Sequence, residues 1–212
     1  MTITIIDAPP GTGEDQTLAA VIGEAFSHLD VSRHLIPDDG VRAKILALHL
    51  GQNVELARGL GRLLTDTERR CAAVWLAVPE TGLPDIPGYD QRRAEACGEH
   101  TDRFAEFESR MHKHHPLGRR HWYLALMAVR PHVQGHGLGT ALLQLQLAIL
   151  DQTGQPAYLE AADLHSRELY LRHGFTDLGQ PFACGDDGPS LWPMWREPLT
   201  GQPTARQDDI RS

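Results

Sequence analysis

The sequence has few cysteines, almost no lysine and no long hydrophobic segment, and each shortage excludes a class of protein. Its three cysteines, Cys71, Cys97 and Cys184, are far apart and form no CxxC pair, which argues against a disulfide framework and a cysteine zinc site. The longest apolar runs, 71–78 and 122–129, are far shorter than the roughly 18 residues that cross a bilayer. No basic leader precedes its first apolar residues, so the sequence predicts a cytoplasmic protein, and the short apolar runs predict no membrane span. We also expect no bound metal.

Positive charge is also scarce. Lysine and arginine number 20 against 28 acidic residues, a formal net charge of −8 with histidine neutral. Such a chain repels a phosphate backbone, so we expect no sequence-independent binding of nucleic acid. The 12 histidines would reverse the sign of the charge in mild acid.

What is present is typical of one folded domain. The chain has 212 residues, of which 41% are hydrophobic and 23% charged. We expect a domain over 1–198 and a disordered tail over 199–212, where only Ile210 is strongly apolar. Hydrophobic periodicity predicts an α/β fold. It places strands at 2–5, 71–78, 122–129, 157–162 and 190–195, and helices over 18–26, 41–48 (with leucines at helical spacing as far as 64), 98–115, 137–153 and 166–173.

The segment 129–140 is the most informative, because a strand, a glycine-rich turn and a buried helix follow one another directly. Backbone N–H groups at a helix N-terminus are unpaired and attract anions, and glycine lets a phosphate approach the main chain closely. A P-loop is excluded because it requires a lysine after the glycines, and the only lysines are Lys44 and Lys113. The glycines at 135, 137 and 139 also have the wrong spacing for a dinucleotide fingerprint.

Two blocks carry a family resemblance. Gln134, Gly137 and Gly139 match the Q/R-x-x-G-x-G/A pattern of the GNAT superfamily of acetyl-CoA-dependent N-acetyltransferases, and 159–175 adds a strand, a short helix and a closing Tyr-x-x-x-Gly-Phe. The region 122–198 resembles the C-terminal half of puromycin N-acetyltransferase-like proteins. The resemblance covers the cofactor half of the fold well and the acceptor half poorly.

The resemblance implies a GNAT fold, in which a mixed sheet flanked by helices splays into a V between the strand ending at Val129 and the strand 157–162. Acetyl-CoA would enter this gap as cosubstrate. Main-chain groups would bond its pantetheine arm at Met127, Ala128 and Val129, and its pyrophosphate at Gln134, Gly135, His136, Gly137, Leu138, Gly139 and Thr140.

The resemblance also implies direct transfer, with Tyr170 as general acid and Glu160 as candidate general base. The pKa of a tyrosine, about 10, exceeds the roughly 8.5 of a cysteine-like thiol, so Tyr170 would stay protonated and could protonate the departing sulfur. The simpler alternatives are an aromatic residue that packs in the core, and a strand carboxylate that is solvated or paired with an arginine.

Ser166 departs from the puromycin-type pattern, which has an asparagine in contact with the cofactor at this position. Serine is shorter and keeps one donor and acceptor capacity, so we retain it as a weak cofactor contact. Its side chain could instead cap the helix.

The predicted function is transfer of acetyl from acetyl-CoA to the amine of a small molecule. The alternatives are a non-catalytic acyl-CoA-binding or sensor module, and an acetyltransferase for protein N-termini or lysines. His112, His114 and His115 form a cluster in which His112 and His115 have the i, i+3 spacing that could bind metal. Cations are favoured at a helix C-terminus anyway, and a role in the acceptor pocket is a further alternative. A homodimer stays open, since dimers are the commonest assemblies.

Overall fold

The computed structural model describes residues 3–199, which form one mixed β-sheet with helices on both faces. The predicted tail, 199–212, lies outside the described residues apart from Leu199. In chain order the elements are β1 (Ile5–Asp7), α1 (Thr12–Phe26), α2 (Asp30–Leu35), α3 (Asp39–Leu60), β2 (Gly61–Asp66), β3 (Cys71–Val78), α4 (Tyr89–Cys97), α5 (Thr101–His114), β4 (His121–Val129), α6 (Leu138–Thr153), β5 (Ala157–Ala161), α7 (Leu164–Arg172), β6 (Thr176–Asp177), β7 (Phe182–Ala183) and β8 (Ser190–Arg196).

The strands run in the order β1-β2-β3-β4-β5-β8-β6, and β7 pairs separately with β8. Among these pairs only β4 and β5 are parallel. Helices α1 and α3 pack on one face of the sheet, and α6 and α7 pack on the other. Because both faces are covered, β3 and β4 are continuous apolar runs, as the sequence predicted for buried strands.

A third apolar cluster lies away from the sheet centre and joins α2, α3, α4 and α5 to β7. Helices α4 and α5 belong to the connection between β3 and β4, which are neighbours in the sheet. This connection brings a helical layer to the side of the molecule where α3 lies. No helix within residues 3–199 is long and apolar enough to cross a membrane.

The helical spacing predicted beyond 48 was right only as far as Leu60. Leu63 and Leu64 lie in β2 and face opposite sides of the sheet, where each joins a different core cluster. Gly61 explains the change of structure, because a Cβ atom there would lie 1.9 Å from the carbonyl oxygen of Trp75 on the paired strand. Only glycine allows this close approach.

Two other predictions need correction at their boundaries, and two helices were missed. The first described strand is Ile5–Asp7 and not 2–5. A short 3₁₀ turn at Gly98–His100 precedes α5, so the helix predicted over 98–115 is regular only from Thr101. Helices α2 and α4 were not predicted, since each is short and neither has a clear apolar repeat.

Candidate active site

Strands β4 and β5 are paired only where they begin, through Trp122 with Ala157 and Tyr123 with Tyr158. Further along β4 the register with β3 shifts: Leu124 is opposite Trp75 and Leu126 is opposite Val74, so Ala125 has no opposite residue on β3. Such a bulge bends its strand and increases the local twist. The rest of β4 therefore diverges from β5, which opens the V-shaped gap that the resemblance predicted.

Alternate main-chain groups of β4 face this gap. The N–H of Arg130 donates to the carbonyl oxygen of Arg70, 2.9 Å away on the β3 side. Because the direction of these groups alternates along a strand, those of Ala128 also face β3. Those of Met127 and Val129 face the gap, so these two residues can offer main-chain contacts to a ligand there.

The glycine-rich turn at 134–140 leads from the end of β4 into α6. Gly135 and Gly137 have φ angles of 78° and 85°, in the left-handed region that favours glycine. Helix α6 begins at Leu138 without a side-chain cap and without an acidic residue in its first turn. Its first N–H groups therefore have no intrahelical partner and carry a partial positive charge, which suits a phosphate.

Side chains around the turn fix its shape and leave space beside it. The Gln134 amide donates to the carbonyl oxygen of Val129 at 3.1 Å, and His136 Nδ1 lies 2.8 Å from the carbonyl oxygen of Gln134. A Cβ atom at Gly139 would lie 3.8–3.9 Å from Leu169, Met127 and Val129. The first turn of α6 therefore borders the gap. Leu138 is buried and Thr140 is half-buried, so both are held by packing.

Ser166 closes a capping box at the start of α7. Its main-chain N–H donates to the Asp163 carboxylate at 2.6 Å, and its hydroxyl donates to the Asp163 carbonyl oxygen at 3.0 Å. The Asp163 N–H in turn donates to the serine oxygen at 3.3 Å. The capping role considered from the sequence is therefore present.

Tyr170 is buried on the α6 and α7 face of the sheet, where its ring lies 5.9 Å from that of Phe175. Burial, with a smaller contribution from the Asp163 carboxylate, raises the pKa of its hydroxyl well above the usual value. No group within residues 3–199 is hydrogen-bonded to this hydroxyl. Tyr170 therefore stays protonated and has a free donor.

Glu160 lies on β5, and its side chain points to the α1 and α3 face together with Tyr158. Burial raises its pKa to about 7, while the nearby hydroxyls of Tyr158 and Tyr123 oppose the shift by stabilising the carboxylate. Its Oε1 atom is buried without a hydrogen-bond partner, and no arginine in the described chain pairs with it. This is a carboxylate that can take up a proton near neutral pH.

A half-buried carboxylate, that of Glu108 on α5, has the opposite pKa shift. Burial favours its neutral form, but hydrogen bonds from His49, Tyr89 and Arg93, each 2.8 Å long, outweigh burial and lower its pKa. With its oxygens occupied, Glu108 ties α3, α4 and α5 together and has no role as a proton acceptor.

Sequence reasoning missed the aromatic residues around Glu160. Tyr158 is two positions away on the same strand, so strand alternation alone could have placed it beside Glu160. Tyr123 and His121 lie on β4, and His115 follows α5. Their contact depends on the parallel pairing of β4 with β5 and on the path of the connection, neither of which has a local signal.

The three clustered histidines, His112, His114 and His115, do not lie together in the structure. His112 and His114 are exposed, and the ring of His114 stacks on Phe182 at 4.0 Å. His115 turns inward and contacts His121. Within residues 3–199 no group of three or more potential ligands could hold a metal.

A half-open cavity of about 480 Å³ lies at the end of β3, apart from the gap. None of the residues predicted for cofactor binding or catalysis lines it. Its walls are Leu60, Ala77, Pro79, Thr81, Gly82, Leu83, Pro84, Asp85 and His112.

Comparisons with known proteins match this geometry to a family. Residues 103–175, which include the glycine-rich turn, Glu160 and Tyr170, match the model of the Acetyltransferase (GNAT) family. An uncharacterized N-acetyltransferase of Schizosaccharomyces pombe is 41% identical over 80 residues, which are 37% of this chain and 32% of that protein. The match thus spans about a third of the curated relative's length.

Solved structures match almost the whole chain. A structure described as histone acetyltransferase HPA2 and related acetyltransferase, from Corynebacterium glutamicum, has a TM-score of 0.67 at 27% identity and covers 96% of this chain and 99% of its own. Arylalkylamine N-acetyltransferase 2 from Aedes aegypti has a TM-score of 0.57 at 10% identity, over 94% of this chain and 100% of its own, a likeness of fold. Residues 103–175 are therefore similar to the GNAT acetyltransferases, and the chain that carries them has the GNAT fold.

Proposed function

We propose that the chain transfers the acetyl group of acetyl-CoA to a primary amine of a small molecule by direct attack. The observation that carries this proposal is the uncapped first turn of α6 beside the open gap between β4 and β5. An anion site next to a slot for an extended ligand fits a diphosphate joined to a slender arm. We assign the diphosphate to 134–140 and the pantetheine arm to the gap.

The gap offers the arm a strand edge. The main-chain groups of Met127 and Val129 face it, and the Val129 oxygen keeps acceptor capacity beside its bond from Gln134. An amide-containing arm can therefore bond there as an added strand would. The main-chain groups of Ala128 face β3, so only the side chain of Ala128 can contact the arm. The hydroxyl of Ser166 already donates to Asp163, so a cofactor contact would use its remaining acceptor capacity.

The two candidate catalytic groups approach the gap from opposite faces of the sheet, Glu160 from the α1 and α3 face and Tyr170 from the α6 and α7 face. Bound acetyl-CoA supplies an activated acyl carbon and a thiolate leaving group. Glu160 takes a proton from the acceptor nitrogen as that nitrogen bonds to the acyl carbon. Tyr170 gives its hydroxyl proton to the sulfur as the carbon–sulfur bond breaks.

The small-molecule acceptor is supported by the burial of Glu160 and by the helical connection that covers that side of the sheet, since only a slender amine reaches such a group easily. The resemblance to puromycin N-acetyltransferase-like proteins is consistent with this acceptor. A protein acceptor is the alternative, because the name of the structural relative from Corynebacterium glutamicum includes a histone acetyltransferase. We also propose a single domain over 1–198, a cytoplasmic location and no resident metal, and we leave a homodimer open.

The proposal is tested with pure protein in two steps. Calorimetry measures acetyl-CoA binding, and a thiol-reactive dye measures release of coenzyme A with a panel of small amines. Peptides with free N-termini or lysines, followed by mass spectrometry, test the protein acceptor. Failure to bind acetyl-CoA ends the proposal. Binding without transfer to any acceptor indicates the sensor alternative.

The pH dependence of transfer gives the first prediction. Because Glu160 must be ionised to take a proton and its pKa is about 7, kcat/KM should rise as the pH passes through 7. Steady-state rates from pH 5.5 to 9 measure this limb. Amines with different pKa values provide the control, since a limb set by the acceptor would move with the amine and a limb set by Glu160 would not.

The phosphate turn gives the second prediction. Gly137→Ala places a Cβ atom on a residue with φ near 85° and should weaken acetyl-CoA binding about tenfold by distorting the N–H groups of the turn. Gly154→Ala, at the other end of α6 with φ 67°, imposes a similar backbone strain of about 1 kcal/mol. Calorimetry should show weaker binding only in Gly137→Ala, and an equal loss in both variants would contradict this assignment.

A further inference from the structure

The residues around Glu160 form a connected group, here called the His115 cluster, which consists of His115, His121, Tyr123 and Tyr158. The ring of His115 lies 4.9 Å from each tyrosine ring, at interplanar angles of 83° and 77°. The two tyrosine rings lie 5.8 Å apart. One histidine therefore packs edge-on against the two tyrosines that stabilise the Glu160 carboxylate. The hydroxyl of one of them, Tyr158, also donates to the main-chain oxygen of His114 at 3.5 Å.

His115 is itself held in place by a hydrogen-bonded chain. Nδ1 of His121 lies 2.8 Å from the carbonyl oxygen of Arg119, so it must carry a proton and donate. The Nε2 atom of His121 is then the acceptor, and His115 Nε2–H donates to it at 3.1 Å. This assignment fixes the tautomers of both rings and the orientation of His115.

The cluster is neutral in the pH range near 7. Burial, with the neighbouring His121 and His112, lowers the pKa of His115 to about 3, and burial also lowers that of His121. No charged side chain is among the causes that shift the pKa of Glu160. The titratable groups that face Glu160 or its two partners are Tyr158 on β5, Tyr123 and His121 on β4, His115 after α5 and Tyr89 on α4.

We propose that His115 is a positioning residue whose ring holds Tyr123 and Tyr158 against the Glu160 carboxylate, and thereby sets the pH at which Glu160 accepts a proton. Packing alone does not account for a histidine here, since its polar edge is occupied by His121 and its ring meets the two tyrosines nearest the carboxylate. The inference rests on the proposed function, in which Glu160 is the base.

The test compares His115→Ala with His115→Phe. The alanine variant removes the ring that both tyrosines contact, so their hydroxyls should leave the carboxylate and the Glu160 titration should move up by about one pH unit. The phenylalanine variant keeps the ring and loses only the bond to His121, so its titration should stay near that of the unmodified protein. His114→Ala is the matched control, because that exposed ring stacks on Phe182, away from the cluster.

Two readouts separate this inference from the proposed function. Carbon-13 NMR of protein labelled at the glutamate carboxyl groups follows the titration directly, with Glu160→Gln identifying the resonance. The acid limb of kcat/KM follows the same group during transfer. A purely structural role would lower the stability of both His115 variants and leave the titration in place, which overturns the proposal, as does a downward shift or an equal shift in both variants.

If the unmodified protein transfers nothing, the proposed function fails while the NMR titration still measures the cluster. If transfer occurs and the titration is unmoved in His115→Ala, this inference alone fails. Tyr158→Phe and Tyr123→Phe complete the series, since each removes one hydroxyl without a cavity and should move the titration upward.

Discussion

Replacement of Glu160 by glutamine is expected to lower kcat/KM by about 10² to 10⁴-fold at pH 8, the usual contribution of a general base. The side chains have the same shape, so the loss would come from the missing proton acceptor. The thiol-release assay measures it. Glu168→Gln on the exposed side of α7 is the matched control and should retain full activity.

The same substitution should make the protein more stable above pH 7. The pKa of Glu160 is raised from 4.5 to about 7 by folding, so its favourable contribution is complete below pH 4.5 and is lost as the pH rises through 7. At pH 8 the ionised carboxylate costs up to about 3 kcal/mol, by the conversion of 1.36 kcal/mol per pKa unit.

Denaturant unfolding at two pH values measures this difference. Glu160→Gln should exceed the unmodified protein in free energy of unfolding at pH 8 and approach it at pH 4.5, while Glu168→Gln should show no such dependence. A variant that loses activity without gaining stability at pH 8 would mean that the carboxylate is less buried than it is in this structure.

Tyr170→Phe is expected to reduce kcat by about 10²-fold or more and to leave acetyl-CoA affinity unchanged. The hydroxyl has no hydrogen-bond partner within residues 3–199, so its removal leaves no protein group unpaired and the fold should be preserved. Single-turnover rates measure the loss at the chemical step. Calorimetry and denaturant unfolding check that binding and stability are retained.

A change of leaving group sharpens this test. An acetyl thioester of a more acidic thiol departs without needing a proton, so the loss in Tyr170→Phe should be smaller with such a donor. An equal loss with both donors would assign Tyr170 to substrate positioning. An unchanged kcat would remove it from the mechanism.

The parts of the site that the sequence predicted have local causes. The turn at 134–140 could be predicted because its glycines, the preceding strand and the following helix are adjacent in the chain. The GNAT resemblance and the α/β fold are confirmed, whereas the closer likeness to puromycin N-acetyltransferase-like proteins and the catalytic roles remain proposals. Tyr170 could be named because it has the family spacing before Gly174 and Phe175, and Glu160 because it lies on the strand of the same block.

The parts that were missed depend on contacts between distant segments. Leu63 and Leu64 continue a helical spacing, and only the close approach of Gly61 to Trp75 turns this segment into a strand. His115 looked like one of three histidines at a helix end, and its neighbours come from β4 and β5. The apolar repeat at 98–115 predicts a helix there, but no short-range pattern in 79–120 indicates that the connection brings His115 to these strands.

The divergence of β4 from β5 divides the sheet into two parts, which are joined through only two residue pairs between these strands. Where β4 and β5 diverge, each has an edge whose main-chain groups lack the paired strand that an uninterrupted sheet would provide. A molecule that binds along these edges would complete the main-chain hydrogen bonding and would hold the two parts of the sheet together. Recognition and mechanical cohesion of the two halves would then arise from the same contacts.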